Sequence, residues 1–411
     1  MIPDTKSLLQ NRFVQSILIS TLFLQFGIWI RNFAILLFVI EMTNEDPVAI
    51  SMISIAEFLP IFVFSFIGGT FADRWQPKRT MICCELLSTA SVFIVLVTLL
   101  FASWQIIFLT TLVSSTLSQF SQPSGMKLFK QHLTGEQMQQ AISLYQTIFA
   151  VFMIVGPFVG TYVYESLGIY MSIVITGISF LLAAIMLIRI PQDPRTVPKT
   201  TETYATNSVW TDLISGFQYV FTKRLLILLA TSNFLAGLAI GFIHPLAVFL
   251  VTEQLHLPKE FLKWLFAANG VGMVLGGTTT MMLSKRISAP RILLLGTGVM
   301  VVGMSIIGFA TKLWLAMLGE FICGLMLPCI TIGANTIILH YTHRDFVGRV
   351  NGILNPTFTG AMIITMSIAG WIKTLMPIGM IYQLTAIILL ISFLVILPLH
   401  RLPIQNAEKA M

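Results

Sequence analysis

About twelve apolar runs, each near the roughly 20 residues a helix needs to cross a hydrocarbon core, follow one another along this 411-residue chain. They lie near residues 14–39, 48–71, 81–101, 105–123, 142–164 and 169–190, and again near 225–251, 262–284, 291–311, 314–338, 351–372 and 377–399. Runs of this length argue against a transmembrane barrel, whose strands are short and alternate in polarity. Helices satisfy their backbone hydrogen bonds internally, as hydrocarbon requires. A water-soluble globule lacks the polar surface it would need: only 10% of residues are Asp, Glu, Lys or Arg, against roughly a quarter in soluble domains. The chain therefore reads as an all-α polytopic membrane protein with twelve transmembrane helices. The first run is too long for the apolar part of a signal peptide and has no clear small-residue cleavage site, so it is expected to be the first span.

Charge orients the spans. With the N-terminus in the cytoplasm, nineteen of the 24 Lys and Arg residues fall in cytoplasmic segments. Lys259, Lys263, Lys312 and Lys373 fall outside, and Arg31 lies within a span. The positive-inside rule supports an even number of spans with both termini cytoplasmic, and the expected location is a bacterial cytoplasmic membrane. The net charge of +7 does not signal nucleic acid, because the basic residues sit in short clusters between spans rather than along one stripe. Cys83, Cys84, Cys323 and Cys329 have no accompanying His or acid cluster and read as small apolar side chains. No cofactor or metal is expected, and membrane lipid and a small-molecule substrate are the expected partners of a functional monomer.

A polar stretch over residues 191–222 divides the chain into residues 1–190, a cytoplasmic linker and residues 223–411. Amphipathic parts of the linker are expected to lie along the membrane surface. The halves also carry a faint repeat. GGTFADRWQPKRT, residues 68–80, follows the second run, and GGTTTMMLSKRI, residues 276–287, follows the eighth about 208 residues later. Paired glycines permit close helix approach, while Asp73, Arg74, Lys78 and Arg79 suit charge-assisted bonds across a cytoplasmic mouth. An ordinary topology-setting loop explains the cations but not Asp73 or the glycines, and both explanations stand at this point. Two parallel-related six-helix bundles are the expected architecture, as in transporters whose halves rock around a central site.

GGTFADRWQPKRT resembles the signature loop between helices 2 and 3 of the major facilitator superfamily. Gly69, Asp73, Arg74, Lys78 and Arg79 match its glycine, acidic and basic positions, whereas Gln76 replaces a usual glycine and Pro77 is unusual. The resemblance implies a cytoplasmic gate at these residues, supported by Glu85. The second-half copy lacks the acid, which implies a weaker latch. In span 5, Gly156, Pro157 and Gly160 resemble the core of the motif common in exporters of the superfamily, with Thr161 in place of its second glycine. Helix bending by proline accounts for the same residues without export. The segments FSQPSGMKLFKQHL and GRVNGILNP are similar to the macrolide-efflux branch, whose relatives include siderophore exporters.

Ionisable side chains inside spans are costly and therefore informative. Arg31 in span 1 and Glu57 in span 2 fall at similar depth, counting about 1.5 Å per residue from the loop between them. They read as a structural ion pair, a proton-coupling site at Glu57 tuned by Arg31, or a contact for an ionic substrate group. Glu320 in span 10 is the second acidic candidate, with snorkelling to the interface as its alternative. Gln25, Gln119, Gln122, Asn233, His244, Asn269 and Asn335 are candidates for cavity lining, and equally for helix packing. No compact set of nucleophile, base and metal ligands suggests an enzyme. The function expected is efflux of a hydrophobic or amphipathic small molecule by proton antiport, with rocker-switch alternating access. A siderophore exporter or nutrient importer on the same scaffold, and a receptor or assembly protein without a transport cycle, are the alternatives.

Overall fold

A computed structural model describes residues 11–74, 76–99, 104–133, 135–190, 209–343 and 346–401. The chain separates into two compact units, residues 1–206 and residues 207–411. In the first, α1 spans Arg12–Met42, α2 Pro47–Arg74, α3 Pro77–Thr98, α4 Trp104–His132 and α5 Gly135–Ile188. Local sequence sets their starts. The Asn11 side chain accepts a hydrogen bond from the Phe13 N–H at 3.0 Å and caps α1. Asp46 accepts from the Val48 N–H at 2.9 Å ahead of Pro47, whose fixed φ suits a first helical position. Within α5, Gly168 has φ 75° and ψ 178°, a conformation that only glycine adopts without strain. It divides α5 into two segments that each cross the membrane, matching the gap between the fifth and sixth apolar runs.

In the second unit, α6 spans Val209–Thr222, α7 Arg224–Phe249, α8 Leu262–Ser284, α9 Ala289–Gly308, α10 Leu313–Tyr341, α11 Val347–Leu375 and α12 Ile378–Ile396. Packing inside the units follows one pattern twice. In the first unit α1 packs on α5, α2 on α4, and α3 on α4 and α5. In the second α7 packs on α11 and α12, α8 on α10, and α9 on α10 and α12. A shift of six spans carries one set onto the other, so the six-plus-six repeat is present in the helix pairing. Nine helices of the described residues are by themselves long and apolar enough to cross a membrane. The broken α5 supplies two crossings, and α4 and α8, less apolar, complete the two sets of six.

Close helix approach replaces the hydrophobic effect as the source of adhesion between spans, because lipid tails are as apolar as the side chains they would release. A Cβ on Gly160 of α5 would meet Phe33 Cβ and the Trp29 carbonyl oxygen of α1, each at 2.7 Å. Gly241 of α7 meets the Met362 carbonyl of α11 in the same way. Apolar clusters lock the helix ends that carry the basic residues. Phe13, Ile17, Leu128, Phe129 and Leu187 are buried together in the first unit, and Val220, Leu229, Leu293, Ile338 and Leu354 in the second.

Two elements differ from the sequence expectation. The linker expected over residues 191–222 ends earlier, because Val209–Thr222 forms a helix that belongs to the second unit. Gly216 lies against Ile353 and Arg349, and the Tyr219 ring stacks on Phe346 at 4.4 Å. Its Ile214, Phe217 and Phe221 remain exposed along one stripe. The segment after the fourth run, with Lys127 and Lys130, is not a loop: α4 continues to His132 because Leu128 and Phe129 are buried against α1 and α5.

Candidate functional site

In the first unit, Arg31 is 4% exposed despite its charge. Its Nε and Nη2 donate to Asn32 Oδ1 at 3.1 and 3.0 Å, and Nη1 donates to the Ser114 hydroxyl of α4. Glu57 lies within electrostatic reach of the guanidinium but is not hydrogen-bonded to it. The two residues are 11 and 10 positions from the ends of α1 and α2 that face each other, about 15–16 Å along each helix, so they share a depth. The arrangement is an arginine held by neutral partners, with a carboxylate near enough to feel its charge. Ser114 and Asn32 carried no signal in the sequence: one is 83 residues from Arg31, and the other is its neighbour.

Of the residues expected at a gate, Gly69, Asp73 and Arg74 lie at the end of α2, where side chains fall outside the described residues, as does that of Gln122. Lys78 turns back within its own unit, and its Nζ donates to the carbonyls of Ile188, at 3.2 Å, and Ile190. This caps the end of α5 with a cation, the favourable sign for a helix C-terminus. Arg79 is exposed and Glu85 is buried in α3 within electrostatic reach of Tyr145. Gln25 is buried in α1, and Gln119 is half-buried in α4. Gly156 faces the Trp29 ring and Gly160 the backbone of α1, while Pro157 between them removes one donor from the helix interior.

In the second unit, Asn269 of α8 holds Glu320 of α10. Its Nδ2 donates to Glu320 Oε2 at 3.0 Å and to the Glu320 carbonyl at 3.3 Å. The fully buried Tyr382 of α12 lies within electrostatic reach of Glu320, and its hydroxyl has no hydrogen-bond partner. Asn269 thus positions a carboxylate instead of lining a cavity. His244 lies in α7 away from the cavity described next.

A cavity of about 300 Å³ opens among α7, α9, α10, α11 and α12 of the second unit. Asn233 and Asn335 line it, together with Asn351 and Asn355, which the sequence reading passed over. Hydroxyls in its wall are already committed. Thr297, Thr331 and Thr359 donate to carbonyls of their own helices at 2.9, 3.1 and 3.1 Å, and Ser232 pairs with Ser392 at 2.8 Å. Among the described residues, none of the four carboxamides has a hydrogen-bond partner in the protein. The remaining wall is apolar, including Phe358, Met300 and Leu327.

At the opposite end of the same unit, Lys373 of α11 is 8% exposed and paired with Glu253 at 2.6 Å, its ammonium 5.0 Å from the centre of the Phe249 ring. Gln254 beside it donates to the carbonyls of Gly308 and Ala310 at 3.1 and 2.8 Å. These contacts fasten the π-helical turn Leu250–Gln254 to the ends of α9 and α11.

Helical units paired in this way, with buried charge at membrane depth, define an integral membrane transporter. The profile of the Major Facilitator Superfamily matches residues 17–242 and 229–410, and the chain belongs to that superfamily. It is 24% identical to the uncharacterized MFS-type transporter YkuC of Bacillus subtilis strain 168 over 399 residues, 94% of this chain and 91% of that one. It is 23% identical over 342 residues to the multidrug efflux pump Tap of Mycolicibacterium fortuitum, covering 80% of this chain and 81% of Tap. Among solved structures, the nucleoside transporter NupG aligns with a TM-score of 0.78 at 12% identity, over 94% of this chain and 99% of NupG. That last likeness is one of fold.

Proposed function

We propose that the protein is a secondary active exporter that moves a hydrophobic or amphipathic small molecule out of a bacterial cell in exchange for protons. The observation that carries this reading is the likeness to the efflux pump Tap across four fifths of both chains. Buried acids supply the means of coupling. Glu320, held by Asn269 in a wall of apolar helices, is the leading site for a proton to come and go, and Glu57 near Arg31 is the companion. Protonation removes the cost of a carboxylate at membrane depth, so each acid favours different surroundings in its two states. The ends of the units rich in Lys and Arg face the cytoplasm, and the two units rock to expose the substrate alternately to either side. The protein works as a monomer in the cytoplasmic membrane, with both termini inside.

The test is substrate flux in vesicles containing the purified protein, with an imposed proton gradient and a panel of macrolides, cationic dyes and siderophores. One pH unit is worth about 1.4 kcal/mol per proton, so one-for-one exchange should sustain roughly a tenfold substrate gradient. Glu320→Gln should retain downhill flux and lose the response to the gradient. Equal flux with and without a persistent gradient in the wild-type protein would refute proton coupling.

A further inference from the structure

We propose that the cavity of the second unit is a binding site for an uncharged small molecule that offers several hydrogen-bonding groups on an apolar frame. Asn233 of α7, Asn335 of α10, and Asn351 and Asn355 of α11 bring four carboxamides to one space from three helices. Asn351 and Asn355 stand four residues apart and therefore share a helix face. Each carboxamide has two N–H donors and a carbonyl acceptor. Counted from the basic ends of their helices, the four lie about 6–14 Å inward, where backbone and side-chain polar groups must find partners other than lipid. Packing would give them protein partners, as it does for Asn269 on Glu320 in the same unit. These four have none among the described residues.

The chemistry of the ligand follows from what the wall lacks. No Asp, Glu, Lys, Arg or His lines the cavity. A charged ligand would lose hydration there without gaining a counter-ion, a large cost in an apolar setting. A neutral amide, alcohol or ketone would meet donors and acceptors at four corners and apolar side chains between them. The volume is at the small end of the range for drug-sized ligands, so the site takes a small compound or one portion of a larger one. The assignment rests on the transport reading only in calling this ligand a substrate.

Equilibrium binding to the purified full-length protein in detergent, with no gradient, tests it. The probes are three uncharged compounds (chloramphenicol, thymidine and N-acetylglucosamine) and the permanent cation tetraphenylphosphonium. At least one uncharged probe should bind below about 1 mM. Asn335→Ala and Asn355→Ala should each weaken it roughly three- to tenfold, the loss of one hydrogen bond, while Asn335→Gln keeps most of the affinity. Asn335→Asp should weaken the uncharged probe and strengthen the cation. Unchanged melting of the variants separates lost contacts from lost folding. Failure of all three uncharged probes, indifference of their binding to the alanine variants, or displacement of a bound uncharged probe by the cation in the wild-type protein would overturn the assignment. Binding that behaves as expected without gradient-driven efflux would refute the transport reading alone, and efflux without such binding would refute this site alone.

Discussion

Gly160 allows a sharp test of how the first unit holds together. A methyl group there would lie 2.7 Å from both Phe33 Cβ and the Trp29 carbonyl oxygen. Carbon atoms in favourable contact are about 3.5–4.0 Å apart, so α5 and α1 must part by several tenths of an ångström to roughly 1 Å. The obstruction is backbone on one side, and the Trp29 carbonyl cannot swing away without leaving its helical hydrogen bond. A gap of about 0.5–1 Å forfeits a quarter to a half of each dispersion contact along the crossing. Overpacking of this kind typically costs about 1–3 kcal/mol, and release of side chains to lipid returns little. Gly160→Ala should therefore lower the melting temperature of the purified protein in detergent. Gly277→Ala is the matched control. Gly277 lies in α8 with no atom within 4 Å of its added Cβ, so the change should be neutral or raise stability by up to about 1 kcal/mol through helix propensity. If Gly160→Ala melts with the wild-type protein or above it, the close crossing is wrong. If it melts normally yet transports poorly, Gly156-Pro157-Gly160 serves export by something other than packing.

Arg31→Ala should destabilise the first unit by about 3–5 kcal/mol, the usual result of removing one member of a buried charged set. Adding Glu57→Gln should recover part of the loss, and strict additivity of the two changes in melting would refute their coupling. Arg31→Lys should not rescue fully, because an ammonium cannot reproduce the fork that reaches Asn32 and Ser114. Glu253→Gln should cost about 1–3 kcal/mol by leaving the Lys373 ammonium buried without its charge partner. Melting of the variant above the wild-type protein would show that the pair costs more in desolvation than it returns.

What could be read from the sequence was whatever depends on one helix at a time. The span count, the break at Gly168 and the shared depth of Arg31 and Glu57 follow from run length and residue counting along an axis. Rotation about that axis is a property of neighbours, and it was not legible. Asn269 looked like any polar residue in a span, and only the crossing of α8 with α10 turns it onto Glu320. Lys127 and Lys130 suggested a loop because charge marks segment ends, yet Leu128 and Phe129 bury the opposite side of the same turn. Lys78 looked like a gate and caps α5 instead, a contact with residues more than a hundred positions away. Asn351 and Asn355 were readable in principle: two carboxamides one helical turn apart in a membrane span are a signal that counting single charged residues overlooks.

The second unit also constrains how protons and substrate could be coupled. Glu320 stands seven residues from one end of α10, and Asn335 six residues from the other. Fifteen residues of helix between them span about 22 Å, so a proton at Glu320 and a ligand beside Asn335 cannot compete for the same groups. Coupling between them must run through two arrangements of the protein that each site favours differently. The helix that joins them is interrupted by Pro328, which removes a backbone donor and leaves the Gly324 carbonyl without its helical partner. Gly324 in turn packs against the Asn269 backbone, next to the acid. A helix weakened at that point can bend between the two sites at lower cost than an unbroken one. Pro328→Ala should then leave probe binding and folding intact, or improve stability, while gradient-driven efflux falls by about tenfold, a barrier change near 1.4 kcal/mol. Efflux at the wild-type rate in this variant would remove Pro328 from the coupling path and require the two sites to communicate through α8 or α12.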